Sequence, residues 1–338
     1  MTQALLISGH GSRDPEGVAE FLDMARHFRA YRPDLPPVEI SFLEFARPTI
    51  QEGIDRLVAR GASSIVVLPG VLMAAGHAKN DMASEVRHAR LRYPHVPIHM
   101  GRSLDLDHRL LQLCRLRYEE ALADRPPIPA SETLLLVVGR GSSDPDANSN
   151  IAKVAAFLRE GYPTGWAAWA YSGVARPLVE EALPVCARAG FRRIVVQPYF
   201  LFTGILLKRI YAQVEELRQA RRDLDVVATP HLQSHPLLLE TFLDRAREAV
   251  EGTGHMNCSL CQYRVPIVGH EHRVGEPQQP HHHHVQGLYA HVHHLDDAPH
   301  AHRPHHHHHA HASRSTLADI EWTDPHPWSE ALREQLQF

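Results

Sequence analysis

Short runs of uninterrupted apolar residues alternate along this chain with longer stretches in which apolar positions recur every three or four residues. The runs Ala4–Ser8, Val38–Phe42, Ser64–Leu68 and Val96–Met100 are too short for helices and apolar on both faces, which predicts strands buried from both sides. Between them, Glu16–Ala30, Thr49–Arg60, Lys79–Tyr93 and Asp107–Ala123 carry apolar residues at helical spacing with polar ones opposite. Strand and helix in strict alternation predict a parallel sheet covered by helices.

The pattern then begins again. Strands are predicted at Thr133–Val138, Trp166–Tyr171, Arg193–Gln197 and Val226–Ala228, and a helix from His235 to Val250 corresponds to Asp107–Ala123. Leu5-Leu-Ile-Ser-Gly-His-Gly-Ser-Arg-Asp-Pro15 returns as Leu135-Leu-Val-Val-Gly-Arg-Gly-Ser-Ser-Asp-Pro145, and Phe45-Ala-Arg-Pro48 returns as Val174-Ala-Arg-Pro177. Residues 124–131 between the copies are proline-rich and lack an apolar period, as a linker does. The expectation is an α/β protein of two tandem flavodoxin- or Rossmann-like parallel-sheet domains, residues 1–125 and 132–251, related by internal duplication. A cleft between them is the natural binding place, and residues 252–338 belong to neither copy.

Duplication kept the glycines, prolines and apolar runs but not three polar side chains. His10 is mirrored by Arg140, Glu44 by Gly173 and His77 by Leu206. In open parallel sheets ligands bind beyond the carboxyl ends of the strands, and all three residues follow such ends, so His10, Glu44 and His77 are expected to converge as one catalytic set. A lone loop histidine is more often a plain hydrogen-bonding residue; the joint loss of three points to a site. Two imidazoles and a carboxylate suit a divalent first-row metal such as cobalt, nickel, iron or zinc, and neutral imidazole also accepts a proton near neutral pH.

Composition narrows the partners. A chain of 338 residues with 43% hydrophobic content can bury a core in each copy. A net charge of −4, with both signs mixed along the chain, argues against nucleic acid. With no apolar run of about 18 residues and no leader-like start, no membrane span is expected and a cytoplasmic protein is. Four cysteines make no disulfide framework, and Cys114 and Cys186 fall in helical patterns as core residues. Gly9-His-Gly-Ser12 alone could suggest a phosphate loop. Its framework is present in both copies, however, and neither nucleotide fingerprint accompanies it, so a tight turn with a helix cap is the simpler reading.

His10 within Ser8-Gly-His-Gly-Ser-Arg13, Glu44 within Phe42-Leu-Glu-Phe-Ala-Arg-Pro48, and His77 within Pro69-Gly-Val-Leu-Met-Ala-Ala-Gly-His-Ala-Lys-Asn-Asp81 resemble the class II tetrapyrrole chelatases. Over residues 3–250 the likeness is greatest to long-form sirohydrochlorin cobaltochelatases. The resemblance implies a chelatase fold and ATP-independent insertion of Co²⁺ into sirohydrochlorin on the route to cobalamin. It further implies that His10 and His77 bind the metal, that His10 accepts a proton, and that Glu44 and the run Leu72, Met73, Ala74, Ala75, Gly76 and His77 touch the macrocycle. The chemistry agrees: a free-base tetrapyrrole must lose two pyrrolic protons, for which a base of pKa about 6.5 is suited. The substrate is rich in carboxylates, so cations are expected around the cleft at Arg13, Lys79, Arg102, Arg140, Lys208 and Arg209, each with a solvated surface charge as its plainer reading. Arg140 stands out because it replaces a metal-site residue at the mirrored position. Iron or nickel insertion, metal storage or delivery through the tail, and phosphoryl chemistry with His10 as nucleophile are the alternatives.

The segment from 252 onward holds 18 of the 28 histidines between His255 and His311, in low-complexity sequence that is expected to be disordered and to bind Co²⁺, Ni²⁺ or Zn²⁺ interchangeably. Met256-Asn-Cys-Ser-Leu-Cys261 supplies two thiolates where a closed zinc or iron–sulfur site takes four ligands. The long-form chelatases carry a similar motif at an iron–sulfur centre, which implies a cluster on Cys258 and Cys261 shared across a homodimer or completed by histidine. A redox dithiol or a simple loop pair are the other readings. Asp324–Leu336 reads as a short amphipathic helix.

Overall fold

The computed structural model describes residues 3–278, apart from Pro36 and Pro163. The first repeat runs β1 (Gln3–Gly9), α1 (Pro15–Tyr31), β2 (Val38–Phe42), α2 (Ile50–Ala59), β3 (Ser64–Pro69), α3 (Met82–Arg92), β4 (Ile98–Met100) and α4 (His108–Leu122). The second runs β5 (Thr133–Gly139), α5 (Pro145–Gly161), β6 (Trp166–Tyr171), α6 (Val179–Ala187), β7 (Arg193–Pro198), α7 (Ile205–Ala220), β8 (Asp225–Ala228) and α8 (Pro236–Glu251). All pairs are parallel, in the orders β2-β1-β3-β4 and β6-β5-β7-β8. The expected α/β duplication is therefore present in topology. It holds in register too, with Ile7 beside Ile40 and Leu68, and Val137 beside Trp169 and Gln197.

Element boundaries follow local chemistry. Asp14-Pro15 and Asp144-Pro145 start α1 and α5 in the same way: each aspartate accepts a backbone N–H two residues on, and proline occupies the first turn, where its missing donor costs nothing. Thr49 and Glu52 form a reciprocal capping box on α2. Two differences from the sequence expectation are local. β4 starts at Ile98, since Val96 closes a turn onto Tyr93 and Pro97, which has no N–H to pair, only offers its carbonyl to Ile65. The helix expected from Lys79 is preceded by a π-helical turn, His77–Asp81, and becomes regular at Met82.

The two copies do not form separate sandwiches. Their last helices are exchanged: α8 packs on β3 and β4, while α4 packs on α5, β7 and β8. Gln197 donates to the Cys114 carbonyl at 2.6 Å, and Tyr118 stacks on Tyr162 at 4.4 Å. In the other direction Phe242 meets Phe28 at 6.2 Å, and the Arg245 guanidinium, 2% exposed, donates to the carbonyls of Ser103 and Leu104. One core consequently contains Leu5, Ile7 and Leu68 together with Leu135, Val137 and Val195. Each such side chain contributes about 1.5–3 kcal/mol on burial, so the halves cannot part without exposing several at once.

A mirrored pair of ion pairs reinforces the join. Lys208 reaches the helix-capping Asp14, and Lys79 reaches Asp144, the equivalent cap in the second copy, each at 2.8 Å. Lys79, 2% exposed, also meets Asp146 at 3.0 Å. Burial alone would lower the Lys79 pKa, but the two carboxylates outweigh it and hold the ammonium above its ordinary range.

Past α8 the chain does not leave the protein at once. Gly252 takes the left-handed cap (φ 71) that ends the helix, and residues through Gln278 lie against the repeats, with Cys261 and Gln262 buried. The start of the expected disordered tail is thus a folded segment. The histidine clusters at His281–His284 and His305–His309, and the expected helix at Asp324–Leu336, lie outside the described residues. Among the described residues no helix is long and apolar enough to cross a membrane.

Arg245→Met should keep the volume of the exchanged helix but leave Asp107, Glu248 and two carbonyls without their buried cation. Urea unfolding is expected to show a loss of about 3–5 kcal/mol with the secondary structure retained at neutral pH.

Candidate functional site

Three strand-to-helix loops of the first repeat meet backbone to backbone. Gly11 has φ 98, and a Cβ there would lie 1.7 Å from the Glu44 carbonyl oxygen, so only glycine lets the first loop touch the second. Leu43 N–H donates to the Gly9 carbonyl and Glu44 N–H to that of His10. These bonds place the His10 and Glu44 side chains on the same side of the sheet edge. The third loop leaves β3 at Gly70 and delivers His77 on the first residue of the π-helical turn, a local widening of helix common at functional sites.

His10 Nε2 lies 2.9 Å from His77 Nε2 and 3.2 Å from Glu44 Oε1, and the three ligand atoms lie within 4.8 Å of one another. His77 Nδ1 meets Asp81 Oδ2 at 2.7 Å, and His10 Nδ1 meets the Gly11 carbonyl at 3.2 Å. With each Nδ1–H donated to its acceptor, both Nε2 lone pairs and the Glu44 carboxylate face one point, an arrangement that calls for a cation. Nitrogens 2.9 Å apart and each about 2.1 Å from an ion would subtend roughly a right angle there. The Phe45 backbone, in the left-handed region at φ 64, lays its ring 5.8 Å from that of His10, and the Arg13 guanidinium sits over the Phe45 ring, 4.8 Å from its centroid.

The cluster opens into a cavity of about 490 Å³ between the repeats. Phe45, Val71, Leu72 and Met73 face it from the first copy, and Phe202 and Leu206 from the second. A flat apolar molecule fits between such walls. Thr203, on the second wall, is anchored from the first repeat: its N–H donates to Glu20 Oε2 at 2.6 Å, and Glu20 Oε1 meets His231 at 2.9 Å. Burial would raise the Glu20 carboxyl, but the bonds from His231 and Thr203 hold it below its ordinary value.

Most of the expected residues are brought together and several are not. Leu72, Met73, Ala75, His77, Arg13 and Arg140 line the cavity. Ala74 is buried at 5% exposure, and Gly76 faces Tyr263 instead. Among the expected cations, Lys79 is committed to Asp144 and Asp146, Lys208 to Asp14 and Glu16, and Arg102 to Glu248 and Asp105. Arg209 donates to the Ser172 carbonyl. These four serve the joins within and between the repeats: Lys79, Lys208 and Arg102 are claimed by carboxylates that folding brings close, and Arg209 by a backbone carbonyl. Enclosure lowers the Arg140 pKa from its ordinary value, and the charge of Glu44 partly restores it, so the mirrored arginine lies within the field of Glu44. Cys258 is exposed and Cys261 buried, and among the described residues no third ligand joins them. Among the described residues, then, the two thiols stand as a pair.

The family model of CbiX matches residues 4–121 and again 134–249. The chain belongs to the CbiX family. The sirohydrochlorin cobaltochelatase of Priestia megaterium is 37% identical over 272 residues, covering 79% of this chain and 87% of that one. The sirohydrochlorin ferrochelatase of the same organism is 32% identical over 214 residues, 63% of this chain and 79% of that one. The crystal structure of the sirohydrochlorin chelatase SirB from Bacillus subtilis subspecies spizizenii in complex with cobalt has a TM-score of 0.62 and 29% identity, over 75% of this chain and 97% of that chain.

Three features of this CbiX-family chain escape sequence reading. Asp81 is the partner of His77, at the i,i+4 spacing that a helical turn brings together; the spacing was a usable signal. The Glu20–Thr203–His231 anchor spans the repeats and had none. The stacking of Phe45 depends on a backbone conformation that is uncommon for a bulky residue.

Glu20→Gln should loosen the second wall. Because the folded carboxyl is depressed, its contribution is fully present above the ordinary value of 4.5 and is lost as pH falls through the folded value. Urea unfolding of the two proteins should therefore differ by about 1.5–3 kcal/mol at pH 7 and converge toward pH 3.

Proposed function

We propose that this protein is a cytoplasmic sirohydrochlorin cobaltochelatase that inserts Co²⁺ into the tetrapyrrole without nucleotide, on the route to cobalamin. The observation that carries the reading is the His10–His77–Glu44 cluster, its ligand atoms within 4.8 Å of one another, at the mouth of an apolar cleft. The 37% identity to a cobaltochelatase supports the choice of ring and metal.

In this reading His10 and His77 hold the incoming ion and strip part of its water shell. Asp81 fixes the His77 ring with Nε2 toward the metal. The macrocycle enters between the walls carrying Leu72, Met73 and Leu206, and Arg13 and Arg140 meet its carboxylates with charge-assisted bonds. Replacing two pyrrolic N–H bonds by metal–nitrogen bonds releases two protons for each divalent ion. His10, freed as the ion passes to the ring, accepts one through Nε2, and Glu44, 3.2 Å away, is the nearest second acceptor. No phosphoryl chemistry is needed, because exchange of nitrogen donors drives the transfer.

The test is the absorption change of sirohydrochlorin incubated with the purified chain and Co²⁺ without ATP, corrected for the spontaneous rate. His10→Ala and His77→Ala should each lose about 100-fold or more. Arg140→Ala should raise KM for the tetrapyrrole about tenfold while KM for Co²⁺ stays unchanged. Full rates in both histidine variants would refute the site. The 32% identity to a ferrochelatase supports a second reading, and faster turnover with Fe²⁺ than with Co²⁺ at equal free concentration would move the metal assignment to iron.

A further inference from the structure

The segment after α8 crosses the back of the turn that carries His77. Asn257 donates to Asp146 at 2.9 Å, the same aspartate that holds Lys79, and Gln278 reaches the Lys79 carbonyl at 3.5 Å. Between these two contacts Tyr263, half-buried, presses its hydroxyl toward Gly76, the residue immediately before His77. Gly76 sits in the ordinary right-handed helical region (φ −45, ψ −48), so its backbone does not demand glycine. What a side chain there would meet is the Tyr263 hydroxyl, 2.9 Å from the position of a Cβ. Burial raises the Tyr263 phenol above its ordinary value, the Arg273 guanidinium over its ring opposes this, and the neighbouring Asp81 carboxylate adds to it. Tyr263 therefore stands at the entry to the His77–Asp81 turn, against the residue that precedes His77.

The geometry points to residues 253–278 as a brace for the metal-binding turn, with Tyr263 as the positioning residue that seats on Gly76 and holds His77 in register with His10. A π-helical turn has wider, poorer hydrogen bonding than an α-helix, so it needs support from outside to keep one side chain fixed. The contacts of Asn257 and Gln278 and a phenol hydroxyl set against a glycine supply that support. The brace follows residue 249, where the family match ends. It contains Cys258 and Cys261 and leads directly into the histidine-rich sequence, so the tail departs from a segment that touches the metal-binding turn. The catalytic part of this inference rests on the chelatase reading.

The fit between Tyr263 and Gly76 gives a test with a distinctive sign. In the full-length chain, Gly76→Ala places a methyl where the hydroxyl stands and should displace the brace, and Tyr263→Phe removes the hydroxyl and leaves a gap. Combined, the methyl fills the gap. Hydrogen–deuterium exchange of the peptide spanning His77–Met82 should rise about tenfold in each single variant and return near wild type in the double. KM for Co²⁺ should follow the same order, about tenfold up in Gly76→Ala and recovered in the double variant, while KM for sirohydrochlorin stays constant. The brace is refuted if both single variants exchange like wild type, or if the double variant exchanges as fast as Gly76→Ala. Absence of turnover in the wild-type chain would sink the chelatase reading alone, since exchange measures the brace without it.

Discussion

The site depends on a contact between two stretches of backbone. At Gly11 the loop after β1 runs so close to the loop after β2 that a methyl group would overlap the Glu44 carbonyl oxygen. Hydrogen bonds from Leu43 and Glu44 to the carbonyls of Gly9 and His10 hold the loops there. The main chain thereby fixes the positions from which the His10 and Glu44 side chains project, so their ligand atoms need only local rotamer choices to meet.

The same backbone contact exists in the second repeat, where a Cβ on Gly141 would lie 1.9 Å from the Gly173 carbonyl oxygen. There it carries Arg140 and a glycine in place of the histidine and the glutamate. One scaffold therefore presents a cation-seeking cluster on one wall of the cleft and a fixed cation on the other. The field of Glu44 reaches Arg140, so the walls are electrostatically complementary. Exchange of α4 and α8 makes the two walls parts of one core, and the mirrored Lys79 and Lys208 pairs pin each helix cap to the opposite copy. Cleft width is consequently a property of the whole molecule.

Much was legible in the chain itself. Short apolar runs and period-3.6 patterns are local, so strands, helices and the duplication could be read directly. Comparing the copies separated residues kept for the fold from candidates for chemistry, and His10, Glu44 and His77 emerged as three polar positions lost together from a framework of repeated glycines, prolines and apolar runs. Gly11 and Gly141, by contrast, were common to both copies and were rightly read as structural.

Only the tertiary structure decided where each charge was spent. Lys79, Lys208, Arg102 and Arg140 look alike in sequence; three are taken by carboxylates from distant segments and one faces the cleft. The exchange of the last helices, the Glu20 anchor and the seat of Tyr263 on Gly76 likewise join residues far apart in the chain. Sequence periodicity reports which face of an element is apolar, but not which other element will cover it. That choice is made by the global packing of surfaces, and in this protein it selects the arginines that face the cleft and the segment that lies against the His77–Asp81 turn.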